Sequence, residues 1–201
     1  MNIDTRILII GSSGSGKTNL LMNYIMLCPN TFQHIHVVFK SFEPLYELLK
    51  DKLEKSGGIT FYDDINKLPN LDQIQEDKDD QQLVVFDDQI NEKDKLNGKV
   101  SEYFIRGRKK HLTMVFIAQS FFKIPKIIRQ QMQYLLILKL SSARDLRLII
   151  SDFSIGSNVD EIQAIYKDAT NERFNFLKID IDQQNDNKRL SKNFKDFYEL
   201  E

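Results

Sequence analysis

The sequence predicts a three-layer α/β fold with a mainly parallel central sheet, and three stretches carry that prediction. The first is Gly11–Thr18, GSSGSGKT, which fits G-x-x-x-x-G-K-[ST] at every fixed position. It follows the apolar run Arg6–Ile10 and precedes Asn19–Leu27, whose apolar residues have helical spacing. The second is Leu83–Asp88, LVVFDD, a buried strand that ends in carboxylates. The third is Leu112–Ala118, LTMVFIA, another apolar strand, which ends in Gln119-Ser120. Uninterrupted apolar strands alternating with helical segments are what a parallel sheet covered on both faces requires.

Strand, glycine-rich turn and helix together make Gly11–Thr18 a phosphate-binding loop. Glycines let the backbone curl until successive N–H groups point at phosphate oxygens. The helix that follows presents its positive end to the same anion. Gly11, Ser12, Ser13, Gly14, Ser15, Gly16, Lys17, Thr18 and Asn19 are therefore the predicted nucleotide contacts. Lys17 is suited to the β- and γ-phosphates of ATP, and the Thr18 hydroxyl to Mg²⁺. In a doubly wound sheet ligands bind beyond the carboxyl ends of the strands. That rule makes Asp87 the partner of Mg²⁺ and Asp88 the candidate to polarise an attacking water. Gln119, at the tip of a neighbouring strand, is placed to contact the γ-phosphate or the water. The predicted class is thus a P-loop NTPase.

The remaining elements follow in order. The helix after the loop stops at Pro29-Asn30. His34–Phe39 reads as a strand with His34 and His36 on one partly exposed face; a third metal ligand is not near them in sequence. Phe42–Leu53 has leucines at helical spacing, and Ile59–Tyr62 is a short strand after a Gly-Gly turn. Asp63-Asp64 reads as the cap of a helix reaching Ile74 with a break at Pro69. Glu76–Gln82 is an acidic loop and Gln89–Asp94 a polar one. Lys99–Phe104, Lys126–Gln131, Ala143–Ser151 and Val159–Asp168 read as helices, Tyr134–Leu140 and Phe174–Ile181 as strands. Residues 1–183 form the predicted ATPase domain. Residues 184–201 are polar and read as a flexible tail or partner-binding arm.

Composition excludes several alternatives. No apolar run is long enough to span a bilayer and the N-terminus has no signal pattern. Cys28 is the single cysteine, so there is no disulfide framework, and an intracellular, reducing compartment fits. Net charge is −1, which gives no reason by itself to expect nucleic acid as a partner. Its distribution is uneven. Between Tyr103 and Arg144 there is no Asp or Glu, while Arg106, Arg108, Lys109, Lys110, Lys123, Lys126, Arg129, Lys139 and Arg144 fall there. Such a run builds either a basic face or a set of solvated loops beside phosphate.

Strand order separates the P-loop classes. With the Gln119-tipped strand inserted between the first strand and the acidic one, the chain resembles the additional-strand ATPases with a RecA/FtsK-like core. The segment RGRKKHLTMVFIAQSFFKIPKIIR resembles the FtsK–HerA superfamily and, within it, the poxvirus-type packaging ATPases of large DNA viruses, virophages and Polinton-type elements. Gly107, Arg108, Gln119, Ser120, Phe121, Pro125, Lys126, Ile128 and Arg129 fall on that pattern, and the likeness covers about Ile7–Leu140. Asp88 departs from it, since many relatives carry Glu there. The resemblance implies a homo-oligomeric ring, a hexamer or pentamer, that hydrolyses ATP to drive double-stranded DNA into a preformed capsid, with vertex proteins as further partners. It also implies a neighbour's arginine completing each site, with Arg108 the first candidate and Arg106 the second. Lys109, Lys110, Lys123 and Lys126 become candidates for the pore. A nucleotide kinase and a nucleotide-gated assembly protein with little turnover are the competing functions.

Overall fold

The computed structural model describes residues 3–53, 58–74, 81–89, 96–153, 155 and 158–199. Its centre is a nine-stranded sheet in the order β3-β2-β4-β5-β1-β6-β7-β8-β9. Here β1 is Arg6–Ile10, β2 His34–Val38, β3 Gly58–Tyr62, β4 Gln82–Asp87, β5 Leu112–Ala118 and β6 Tyr134–Ile137. The three that complete it are β7 Leu177–Asp180, β8 Leu190–Lys192 and β9 Asp196–Phe197. The first six strands run parallel and the last three antiparallel. Strand β5 lies between β1 and β4, as the sequence predicts.

Alternate residues of each strand enter opposite faces of the sheet. Ile7, Ile9, Leu83, Val85, Val115 and Ile117 pack under α1 (Lys17–Leu27) and α2 (Pro44–Leu53), whose Leu21, Tyr24, Tyr46 and Leu49 close that core. Leu8, Ile10, Val84, Phe86, Met114 and Phe116 face the other way. They meet α3 (Ser101–Arg106), α4 (Lys126–Arg129), α5 (Ala143–Phe153) and α6 (Val159–Ala169) through Tyr103, Phe104, Ile128, Ile149 and Ile162. Burial on both faces explains why the central residues of β1, β4 and β5 are nearly all apolar.

Several expectations need correction. Asp63–Ile74 is not a broken helix but two single 3-10 turns, Ile65–Lys67 and Leu71–Gln73. Pro69 forces Leu68 into an extended conformation and stops propagation. Asp64 does cap the first turn, accepting from Asn66 N at 2.9 Å. Strand β6 ends at Ile137 because the next carbonyls turn to the phosphate loop: Ser12 N donates to Lys139 O at 2.8 Å. Phe174–Ile181 begins as a tight turn, with strand only from Leu177. The polar segment beyond Gln183 is no loose arm. It carries β8 and β9, and Leu190 and Ser191 are fully buried. His36 is likewise buried rather than partly exposed: its ring meets Tyr62 Oη at 2.9 Å and Gln82 Oε1 at 3.2 Å. The acidic cluster Glu76–Asp80 and most of the Gln89–Asp94 loop lie outside the described residues.

Candidate active site

Register brings the predicted site residues to one rim. Ile10 pairs with Ala118, and Asp87 with Ile117, so Gly11, Asp88 and Gln119 leave adjacent strands side by side. Gly14 and Gly16 take positive φ angles of 71° and 99°, which fold the loop back over the start of α1. Helix α1 has no side-chain cap and no acid in its first turn. Its leading N–H groups are therefore left for an anion.

Lys17 is half-buried, and its ammonium donates to the carbonyls of Gly11 (3.1 Å) and Ser12 (2.9 Å) at the mouth of the loop. Burial lowers its pKa, while Asp87, Asp88 and Glu43 oppose that shift. Thr18 is buried at the foot of the loop.

Asp87 is buried at the tip of β4, and Tyr46 Oη donates to its Oδ2 at 2.5 Å. Burial raises its pKa to about 6; Tyr46 and Lys17 pull against that, Glu43 and Asp88 add to it. A carboxylate held this way is stabilised by any cation that binds beside it. Asp88 follows with a positive φ of 51°, a conformation that aspartate tolerates and that swings its side chain into the cavity mouth. Burial raises its pKa, while Lys17, Lys123 and Gln119 lower it. Gln119 Nε2 donates to Asp88 Oδ2 at 3.3 Å, so the amide and the second acid meet.

These groups line a cavity of about 290 Å³ that also includes Ser41, Glu43, Arg173 and Phe174. Thr18, Asp87, Asp88 and Glu43 supply hard oxygen donors of the type Mg²⁺ takes. Adding a Cβ to Gly16 would bring it within 2.5 Å of Phe174, so glycine lets the loop and that ring lie together. Sequence reasoning missed Tyr46, Glu43, Arg173 and Phe174. Tyr46 and Glu43 reach the rim because β2 neighbours β4, which the sheet order makes legible. Phe174 carries no signal in its own stretch.

The basic run divides. Arg106 is ion-paired with Glu102, and with Asp72 at 3.1 Å. Arg129 pairs with Asp152 and lies 4.8 Å over the Phe121 ring. Arg108 sits in the 3-10 turn Gly107–Lys110 at the opposite end of β5 from Gln119. Structure therefore brings Lys17, Thr18, Asp87, Asp88 and Gln119 together and keeps Arg106 and Arg108 away from them.

The profile of the poxvirus A32 protein matches residues 1–191. The chain belongs to that family. The resemblance to packaging ATPases of the FtsK–HerA class is thereby borne out, and this A32-family protein is an ATPase of the viral genome-packaging class. Its fold is similar to the genome packaging NTPase B204 of Sulfolobus turreted icosahedral virus 2 in complex with sulfate. There the TM-score is 0.68 at 16% identity, covering 100% of both chains. The same NTPase in complex with ATP-γS gives 0.66 at 17% identity, over 96% of this chain and 97% of that one. The cytoplasmic domain of the Type VII secretion ATPase EccC from Thermomonospora curvata gives 0.63 at 13% identity, covering 89% of this chain and 24% of that one. A sequence comparison with curated proteins gives no match.

Proposed function

We propose that this A32-family protein is a ring motor that hydrolyses ATP to move double-stranded viral DNA into a preformed capsid. The observation that carries this reading is β5. It runs from a basic turn, Gly107–Lys110, through the centre of the sheet to Gln119, whose amide contacts the second acid at the phosphate rim. A rigid, fully buried strand joins a surface suited to phosphate backbones with a group suited to sensing hydrolysis.

In this reading the backbone of Gly14–Thr18 cradles the phosphates, and Lys17 swings from the loop carbonyls to the β- and γ-phosphates. Thr18 and Asp87 hold Mg²⁺, which when bound neutralises charge on the transferred group. Asp88 orients and deprotonates the attacking water, with Gln119 fixing the Asp88 carboxylate. Aspartate is shorter than glutamate, and its positive φ brings it toward the cavity. Arg108 of one subunit completes the neighbour's site, and Lys109, Lys110, Lys123 and Lys126 contact DNA without regard to sequence. Copies of the chain and the capsid vertex are the expected protein partners, during virion assembly inside the host cell.

Steady-state ATP hydrolysis with and without double-stranded DNA tests this, with Lys17→Ala as background. Severalfold stimulation by DNA, absent in Lys17→Ala, is the expected result. Hydrolysis that depends on Lys17 but ignores DNA, from a sample that forms rings, would overturn the motor in favour of a small-molecule acceptor.

A further inference from the structure

The loop and its acids address the phosphate end of a nucleotide, and the nucleoside end needs contacts of its own. Beside the phosphate cavity lies a second one of about 360 Å³, between the loop and the turn at residues 170–175. Ser13, Gly14, Arg173 and Phe174 line both. A molecule reaching from one cavity to the other passes over Arg173 and Phe174.

Phe174 is unusual in three ways. Its φ is +71°, a conformation that bulky residues rarely adopt and that clusters at ligand sites. The residue is 47% exposed, although Phe176, two residues on, is buried in the core. It also rests against Gly16, and the Arg173 guanidinium lies 4.7 Å over it. Fold stability does not require a half-exposed aromatic in a strained turn. The turn is nonetheless braced: Asn193 Oδ1 accepts from Phe176 N at 3.2 Å, and Asn193 Nδ2 donates to Asn175 Oδ1 at 3.1 Å.

We infer that Arg173 and Phe174 form the platform on which the nucleobase stacks, with the second cavity receiving the nucleoside. This inference rests on the nucleotide-binding reading of the loop. An aromatic face with a guanidinium beside it attracts any base through its π-system, so it supplies affinity with little choice among bases. The protein should accordingly bind ATP and GTP with similar strength, and bare tripolyphosphate more weakly than either.

Two variants test the platform. Asparagine tolerates positive φ, so Phe174→Asn removes the ring and keeps the turn. It should weaken Mg-ATP binding on the order of tenfold and leave tripolyphosphate within about twofold. Phe174→Trp would carry the chain's single tryptophan, because the sequence has none. Its fluorescence should be quenched by ATP and unmoved by tripolyphosphate. Equal weakening of ATP and tripolyphosphate in Phe174→Asn, or tryptophan emission indifferent to bound ATP, would overturn the platform alone. ATP binding in the wild type that does not depend on Lys17 would overturn the loop reading together with it.

Discussion

Asp87 owes its position to aromatic packing as much as to β4. Tyr46, which donates to its carboxylate, is fully buried and wedged against Phe42 and Phe61 at 5.9 and 5.7 Å between ring centroids. Phe39 and Phe42 extend the cluster edge to face. A second buried polar group, on the opposite face of the sheet, gives a pH prediction. Burial lowers the pKa of His36 from 6.5 to about 4, the neighbouring His34 ring adds to this, and the hydrogen bond to Gln82 opposes it. The folded state thus binds this proton less readily than the unfolded chain. Its contribution is complete above pH 6.5 and is lost as pH falls toward 4, by up to about 3 kcal/mol. Urea denaturation between pH 7 and pH 4.5 measures the loss. His36→Gln should show a shallower acid decline than the wild type, and an equal decline would mean the histidine is protonated in the fold.

At the scale of elements, β1, β4 and β5 were legible because each is apolar on both faces, and their tips because acids and an amide interrupt such runs abruptly. The site's phosphate half followed from them. Its other half did not, since Phe174 stands in a turn whose conformation is set by Asn193, which is distant in sequence. The C-terminal strands escaped notice for a related reason. Strand β8 has three residues and only Leu190 is a large apolar one, so its polar neighbours dominate the composition. Leu190 nevertheless packs fully buried among the core residues that include Leu177 and Ile179. Leu190→Ala should therefore cost about 2–4 kcal/mol in urea denaturation, as for a core leucine. Truncation after Gln183 should expose the β7 edge and lower the folding midpoint further. A truncated chain as stable as the full one would restore the tail reading of residues 184–201.

For the whole molecule, the decisive fact is distance along β5. The seven-residue strand β5 lies between the basic turn and Gln119, roughly 23 Å of extended chain, and no arginine side chain reaches back over that length. Arg108 cannot serve its own subunit's phosphates, so any catalytic role it has must be exerted on a neighbour. Arg106 is the weaker candidate because Glu102 and Asp72 already hold it within the subunit, whereas no ion pair holds Arg108 among the described residues. A trans arginine contributes about 10³–10⁵ in rate, so Arg108→Ala should be nearly inactive alone. Lys17→Ala should be inactive for the opposite reason, having an intact arginine and a failed loop. Mixed in equal amounts in a head-to-tail ring, the two variants create about a quarter of interfaces with both groups intact. ATPase activity should then reappear in the mixture of two dead proteins. If it stays absent while co-assembly is demonstrated, Arg108 does not act across the interface, and the basic turn is left with DNA contact as its role.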